Sequence, residues 1–221
     1  MYTYKHPHPA VATDIVLFTI RDAQLQLLLI RRGVAPYRGR WALPGGFLRA
    51  DEDLEACAKR ELEEETGVSA VYLEQLYTFG KTSRDPRERV VTVAYYALVC
   101  SDRLALAAET DATDVSWYSL DELPKLAFDH DEIVALAHQR LASKLDYATI
   151  AFQFLPETFT LNEVQEVYEI IGREPLDNRN FRKWILAFHL VEETGDVRRG
   201  GANRPAKLYR LTKPGTVDHF R

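Results

Sequence analysis

The sequence predicts an α+β fold in two parts: a larger part that mixes a sheet with helices, and a smaller part of two helices and two strands. Apolar runs of strand composition dominate the chain before residue 120, and the helical patterns between them do not alternate regularly with the strands. The pattern changes at 146–158, after which Thr160 and Glu163 form a helix-start signal. A chain of 221 residues has room for both parts. We therefore predict domains at 1–148 and 149–221.

The elements of the larger part follow from the spacing of its apolar residues. Leu54, Ala58 and Leu62 recur every four residues, which predicts one helical face, and Gly67 is a suitable helix end. Runs rich in β-branched and aromatic residues predict strands, the first two of which flank the turn sequence RDAQ. The predicted elements are strands at 11–20, 25–30, 70–79, 90–99 and 114–118 and helices at 54–66 and 131–145.

The segment 46–68, GFLRADEDLEACAKRELEEETGV, has the most specific spacing in the chain. Its fixed positions are Gly46, Glu52, Arg60-Glu61-Leu62, Glu64-Glu65 and Gly67-Val68. With average residue frequencies, such a match arises by chance in a chain of this length with odds of roughly 10⁻⁶. On a helix, Glu61, Glu64 and Glu65 share one arc of about 100°. Like charges at this spacing repel, and a bound cation reverses that interaction, so the pattern predicts a site for Mg²⁺ or Mn²⁺.

This spacing resembles the Nudix box, and the flanking strings RGRWALPGG and WYSLDEL are similar to the same superfamily. The resemblance implies a Nudix α/β/α sandwich with a mixed sheet, and Mg²⁺-dependent hydrolysis of a nucleoside diphosphate derivative. It implies that the metal ligands are Gly46, through its carbonyl, Glu61, Glu64 and Glu65. Glu64, Arg60 and Glu61 would be catalytic: Glu64 would help to deprotonate the attacking water and Arg60 would orient the glutamates. Glu52 and Gly67 would support the box.

The box does not determine the substrate, and candidate substrate-binding residues come from the segments around it. Arginines can bind phosphate and an aromatic ring can stack on a base, although arginines more often lie on the surface and Phe128 suits a core position equally well. The candidates are Arg32, Arg40, Arg84, Arg87, Phe128 and His130.

The pattern of the smaller part predicts a winged helix-turn-helix domain. The capping box at Thr160 opens a first helix, a second is predicted at 179–188, and strands at 190–193 and 206–211 flank the polar loop TGDVRRGGANRP. The spacing places Phe181, Ile185 and Leu186 inward and leaves polar side chains to contact double-stranded DNA. The candidate DNA-binding residues are Arg179, Asn180, Arg182, Lys183, Arg204 and Lys207. A protein-interaction or dimerisation module remains the alternative.

The charge of the chain is unevenly distributed, which supports a separate partner for the smaller part. The whole chain carries −5, whereas residues 173–221 hold 11 basic against 6 acidic residues. Cys57 and Cys100 lack metal-ligand spacing and are expected to be free thiols in a reducing compartment. The sequence has no signal core and no membrane-spanning run, so we expect a cytoplasmic protein.

Over nearly its whole length the chain is similar to the Nudix-related transcriptional regulators of NAD metabolism, through LAFDH, NFRKWIL, ETG and RPAKLYRL. This resemblance implies an ADP-ribose-like ligand, operator DNA and a homodimer. Many members have a degraded box, whereas every box position is present here. The favoured hypothesis is an ADP-ribose hydrolase that also binds DNA and regulates transcription. The alternatives are a repressor that senses ADP-ribose without turnover, and a hydrolase whose C-terminal domain only mediates dimerisation.

Overall fold

The computed structural model describes residues 5–6, 8–69, 71–104, 115–199 and 205–220. The strands of the larger part, within these ranges, are β1 (Ala10–Arg21), β2 (Gln24–Arg31), β3 (Trp41–Ala42), β4 (Gly45–Phe47), β5 (Tyr72–Phe79), β6 (Val90–Leu98) and β7 (Val115–Ser119). Its helices are α1 (Leu54–Thr66), α2 (Ser101–Leu104) and α3 (His130–Lys144). A short 3₁₀ helix, Thr149–Phe154, leads to α4 (Leu161–Gly172), α5 (Asn178–Ala187), β8 (Val191–Arg198) and β9 (Ala206–Leu211).

The sheet of the larger part is mixed and is organised around β1. Its order is β3-β2-β1-β6-β5, with β4 paired to β1 and β7 paired to β2. β1 runs parallel to β6 and antiparallel to β2 and β4. The predicted pairing of the first two strands is confirmed as a hairpin with Phe18 opposite Leu27. The arrangement explains why β1 is buried over most of its length: it has neighbours on both edges and helices over both faces.

Each face of the sheet has its own apolar core, because successive side chains of a strand point to opposite faces. Ile15 and Leu17 of β1 pack with Ala58 and Leu62 of α1. Their neighbours Val16 and Phe18 belong to the cluster that contains Ile133 and Ala137 of α3. The predicted α/β/α sandwich is therefore the observed architecture.

Three elements of this part were not predicted, and one of them is the two-residue strand β3. β4 consists of two glycines and a phenylalanine, a composition that does not indicate a strand, yet Gly46 lies opposite Thr13 of β1. Its pairing turns the chain directly from the sheet edge into the loop before α1. The short helix α2 follows the last strand residue of β6 by only a few residues and had no periodic signal.

The smaller part forms the predicted winged helix. Thr160 caps α4 through a complete capping box with Glu163, and Asp177 caps α5 by accepting a hydrogen bond from the Asn180 amide. β8 and β9 pair as an antiparallel hairpin. One apolar cluster extends from the sheet through α3 to α4 and α5, and includes Val164 and Ile185. The winged helix is therefore packed on the side of the sheet that carries α3.

Two details of the winged helix differ from prediction. Phe181 and Ile185 are buried as expected, but Leu186 is 40% exposed, so its predicted inward position was wrong. The inward face repeats at three- and four-residue steps and uses Trp184 instead, as a half-buried residue. β8 extends to Arg198, so much of the predicted loop is strand. Its pairing with β9 continues past a register irregularity between Glu193 and Val197.

Candidate functional site

The guanidinium of Arg60 is the centre of the box. It donates to both oxygens of Glu52, at 2.9 and 2.7 Å, to Glu61 Oε1 at 2.6 Å and to Glu64 Oε2 at 3.1 Å. Arg60 thus bonds to all three glutamates at once, while the orienting role of Arg60 and the supporting role of Glu52 stay predictions. Hydrogen bonding from Arg60 lowers the pKa of Glu52 to about 2, so this carboxylate is ionised at neutral pH.

Glu65 lies on the inner side of α1, towards the sheet. Its Oε2 accepts a hydrogen bond from the Gly45 amide at 2.8 Å, which links α1 to β4. Burial raises the pKa of Glu65 to about 7, and the nearby carboxylates of Glu61 and Asp14 add to the increase, while the Gly45 hydrogen bond opposes it. The Glu65 carboxyl group is therefore partly protonated near neutral pH in the protein alone.

The chemistry of these residues fits a divalent cation, although their present positions do not enclose one. Every predicted ligand is an oxygen, which suits Mg²⁺ or Mn²⁺. Among the described residues, no group of three or more acidic, histidine or cysteine side chains is arranged to hold a metal. Arg60 is bonded to Glu61 and Glu64, and Glu65 faces Gly45. Binding of a cation thus requires these carboxylates to rotate, and the four ligand assignments stay predictions.

The two glycines of β4 allow the close approach of sheet, loop and helix. A Cβ built on Gly45 would lie 2.1 Å from the Thr13 carbonyl oxygen, and one on Gly46 would lie 2.3 Å from Glu61 Oε1. The first contact is with backbone inside the sheet, where nothing can move aside. The second is with a side chain that the box requires.

Replacing Gly45 with alanine is expected to lower the free energy of unfolding by roughly 2 kcal/mol, because the added methyl group overlaps the β1 backbone. Urea unfolding of the purified variant measures this change. Gly33→Ala is the matched control, since its Cβ would meet no atom within 4 Å. Equal stability of the two variants would contradict the close packing of β4 on β1.

Beside the box, four of the predicted substrate-binding residues form a cluster of arginines and aromatic rings. Arg32 Cζ lies 4.7 Å and Arg87 Cζ 5.8 Å from the centre of the Phe128 ring. Tyr37, which was not predicted, packs edge-on against Phe128 with 4.9 Å between ring centres and carries Arg40 at 5.2 Å. Phe128 has a φ of 54°, an uncommon conformation for an aromatic residue that is often found at functional sites.

The structure gives the other two predicted substrate-binding residues protein partners instead. Arg84 is buried and donates to Asp129 at 2.8 and 3.0 Å and to Asp14 at 3.2 Å. His130 is also buried; its Nδ1 accepts from the Leu43 amide at 2.9 Å, and burial lowers its pKa, so the ring is neutral. In this arrangement both residues join β1, the β5–β6 loop and the start of α3. Their role in substrate binding stays a prediction, and their observed contacts are structural.

The predicted DNA-binding residues lie on the exposed side of the winged helix. Arg179, Asn180 and Lys183 are exposed on the first two turns of α5. Arg182 is exposed as well and donates to Asn162 at 2.8 Å, at the start of α4. Lys207 of β9 forms an ion pair with Glu193 at 2.8 Å, which reduces the positive charge of the wing. Arg204 lies outside the described residues.

Comparison with known proteins identifies both parts. A model of the NUDIX domain matches residues 9–137, and a model described as the NrtR DNA-binding winged helix domain matches residues 151–211. The ADPR responsive transcriptional repressor NtrR of Acinetobacter baylyi is 40% identical over 211 residues, covering 93% of this chain and 83% of that protein. The chain belongs to the NrtR family. The predicted resemblance is thereby confirmed.

Solved structures agree with this NrtR assignment. Shewanella oneidensis NrtR in complex with a 27mer DNA is 39% identical, with a TM-score of 0.80 and coverage of 91% of this chain and 93% of that one. The NUDIX domain of the same protein in complex with ADP ribose is 39% identical, with a TM-score of 0.54, and covers 63% of this chain and 94% of that one. The fold of this NrtR-family chain is therefore a Nudix domain followed by a winged helix.

The relatives of the Nudix part include proteins named as enzymes. The ADP-ribose pyrophosphatase of Methanocaldococcus jannaschii is 37% identical over 127 residues, which cover 58% of this chain and 72% of that protein. None of the helices in the described part of this NrtR-family chain is long and apolar enough to cross a membrane.

Proposed function

We propose that this NrtR-family chain is an ADP-ribose-responsive transcriptional regulator of NAD-metabolism genes. The observation that carries the proposal is the presence, in one chain, of a box carboxylate site beside an arginine–aromatic cluster and of an exposed basic helix on a winged helix. The carboxylates and the arginine–aromatic cluster suit a nucleoside diphosphate, and the basic helix suits double-stranded DNA. The names of the NrtR relatives support both ligands. The domain boundary that we propose lies between residues 148 and 149, and we propose a homodimer as the DNA-binding form.

ADP-ribose matches the chemistry of the site better than a simple phosphate does. It combines two linked phosphates, whose charge guanidinium groups and a cation can neutralise, with an adenine ring that can stack on an aromatic side chain. The box offers the carboxylates for the cation, and the cluster around Phe128 offers arginines and aromatic rings next to it. Their proximity supports a ligand that contacts both regions at once.

We also propose that the site hydrolyses this ligand, because every box carboxylate is present and the arginine that orients them is bonded to three glutamates. A bound Mg²⁺ or Mn²⁺ would neutralise phosphate charge and make a coordinated water more acidic. Glu64 is half exposed and can accept the proton of that water. Attack of a water oxygen on one phosphorus, with breakage of the bridging P–O bond, would yield AMP and ribose 5-phosphate.

The regulatory proposal predicts that ADP-ribose changes the affinity of the protein for its operator by about tenfold, since a ligand that couples two sites typically contributes such a factor. Fluorescence anisotropy with labelled operator DNA, with and without saturating ADP-ribose, measures the change. Measurement without Mg²⁺ or Mn²⁺ limits turnover of the ligand during the experiment. AMP is the control ligand because it has one phosphate and no terminal ribose. Equal DNA affinity at saturating ADP-ribose would refute regulation by this ligand.

A further inference from the structure

Arg32 is held in place without using its terminal amino groups. It follows β2, and its Nε donates to the Pro36 carbonyl at 2.8 Å. Its backbone is fixed by two further bonds, from the Arg32 amide to the Arg40 carbonyl and from the Gly39 amide to the Arg32 carbonyl. The flat guanidinium lies against Phe128, 4.7 Å from the ring centre. The side chain is therefore oriented in advance by one hydrogen bond and one ring.

Arg32 is half-buried and has no acidic partner, in contrast to three other arginines near the box. Arg60, Arg84 and Arg87 are each paired with carboxylates. Over the described part of the chain, no carboxylate lies within salt-bridge distance of Arg32, and no hydrogen bond from its terminal amino groups is seen. A half-buried guanidinium with unused donors next to a second arginine is an unfavourable arrangement for the protein alone.

The electrostatic surroundings of Arg32 show what would relieve this arrangement. Burial and the nearby charge of Arg87 lower the pKa of Arg32, while the carboxylates of Asp85, Glu65 and Asp14 oppose that change. The charges of Arg87 and of Glu65 in the box therefore both act on the Arg32 guanidinium. An anion placed between the box and Phe128 would neutralise the pair of arginines and use the free donors of Arg32.

We propose that Arg32 is the residue that selects diphosphates over monophosphates: it binds the second phosphate of a ligand whose first phosphate faces the box. This inference rests on the proposed ligand site and adds the group within it that distinguishes the two ligand classes. Phe128 is the positioning residue, because its ring carries the Arg32 guanidinium. Arg87 contributes charge, but it is bonded through two nitrogens to Asp85, so fewer of its donors are available.

The test compares Arg32→Gln with Arg31→Gln as the matched control. Arg31 is exposed, is adjacent in sequence and donates through its Nε to the Gly39 carbonyl of the same loop, so both variants lose one charge and one loop contact. Calorimetry with the full chain and Mg²⁺ measures the affinity for inorganic pyrophosphate and inorganic phosphate, and calorimetry without Mg²⁺ measures that for ADP-ribose. We expect Arg32→Gln to weaken pyrophosphate and ADP-ribose binding about 30-fold and phosphate binding less than threefold. Arg31→Gln should leave all three within twofold.

Each other outcome refutes the role of Arg32, the proposed ligand, or both. Equal losses for pyrophosphate and phosphate, or equal effects of the two variants, would overturn the inference. A wild-type protein that binds pyrophosphate through Arg32 but does not bind ADP-ribose would refute the proposed ligand and leave the inference standing. A wild type that binds neither would refute both.

A second variant tests the role of Phe128 separately from the charge. Phe128→Gly removes the ring and suits the observed φ of 54°, so loss of folding is not expected. We expect it to weaken pyrophosphate binding about tenfold, because Arg32 loses its support, with little further loss when Arg32→Gln is added. Fully multiplicative effects of the two changes would show that Phe128 does not act through Arg32.

Discussion

Replacing Glu64 with glutamine is expected to lower Mg²⁺-dependent hydrolysis of ADP-ribose by about 10³-fold while the fold stays intact. The substitution removes a negatively charged oxygen from the predicted cation site and removes the proposed acceptor of the water proton. It should cost little stability, because Glu64 is half exposed and its ion pairs with Arg60, at 3.1 Å, and Arg49, at 3.5 Å, are at the surface. Steady-state release of AMP measures the effect.

Glu63→Gln is the matched control for this prediction. Glu63 is adjacent on α1 and exposed, and the substitution makes the same chemical change outside the predicted ligand set. It should retain activity within twofold. Both variants should unfold at the same temperature as the wild type, which would show that a loss of activity comes from lost catalysis and not from unfolding. A wild-type protein that turns over neither ADP-ribose nor any other nucleoside diphosphate derivative would defeat the enzymatic proposal and leave the sensing function.

The double substitution of Arg182 and Lys183 by alanine is expected to weaken operator binding by roughly 100-fold and to lower the slope of log affinity against log salt by about 2. Both side chains are exposed within the first two turns of α5, the helix that a winged helix presents to the major groove. Their removal should not affect the core, which α5 contacts through Phe181 and Ile185. Anisotropy titrations over a range of salt concentrations measure both quantities.

The control for DNA binding is Lys59→Ala with Lys125→Ala, which removes the same charge from exposed positions of the Nudix domain. This double variant should bind operator DNA within threefold of wild type. Unchanged DNA affinity in the α5 variant would remove that helix as the recognition element. Equal losses in the two variants would mean that the overall charge of the protein, and not the surface of α5, determines binding.

The box could be predicted from sequence because its information is local. Arg60, Glu61 and Glu64 lie on one helix, whose spacing brings them together, and Glu52 lies in the loop directly before it; in the structure Arg60 bonds to all three glutamates. The orientation of Leu186 was mispredicted because local spacing alone did not determine which side of α5 faces the core. A helix of ten residues with one tryptophan permits two apolar faces that differ by a small rotation, and the packing of Trp184 near Tyr168 and Phe220 selects one of them.

The surroundings of the box could not be predicted, since they depend on contacts between distant segments. Asp14 lies on β1 and is separated by 70 residues from Arg84, with which it pairs in the structure. Nothing in the local sequence distinguishes this arginine from Arg87, which remains half exposed. An isolated aspartate within the apolar first strand was the available signal for Asp14, because a charge at a buried position requires a partner.

The helix α3 contacts both parts of the chain. At its start, beside the proposed ligand site, Asp129 holds Arg84 and His130 accepts the Leu43 amide. Further along, His138 Nε2 lies 3.1 Å from the Ile171 carbonyl of α4. A helix of 15 residues is about 22 Å long and stiff. α3 is therefore one stiff element in contact with both parts of the chain, so a tilt at its first turn would displace the α4 residues that it contacts.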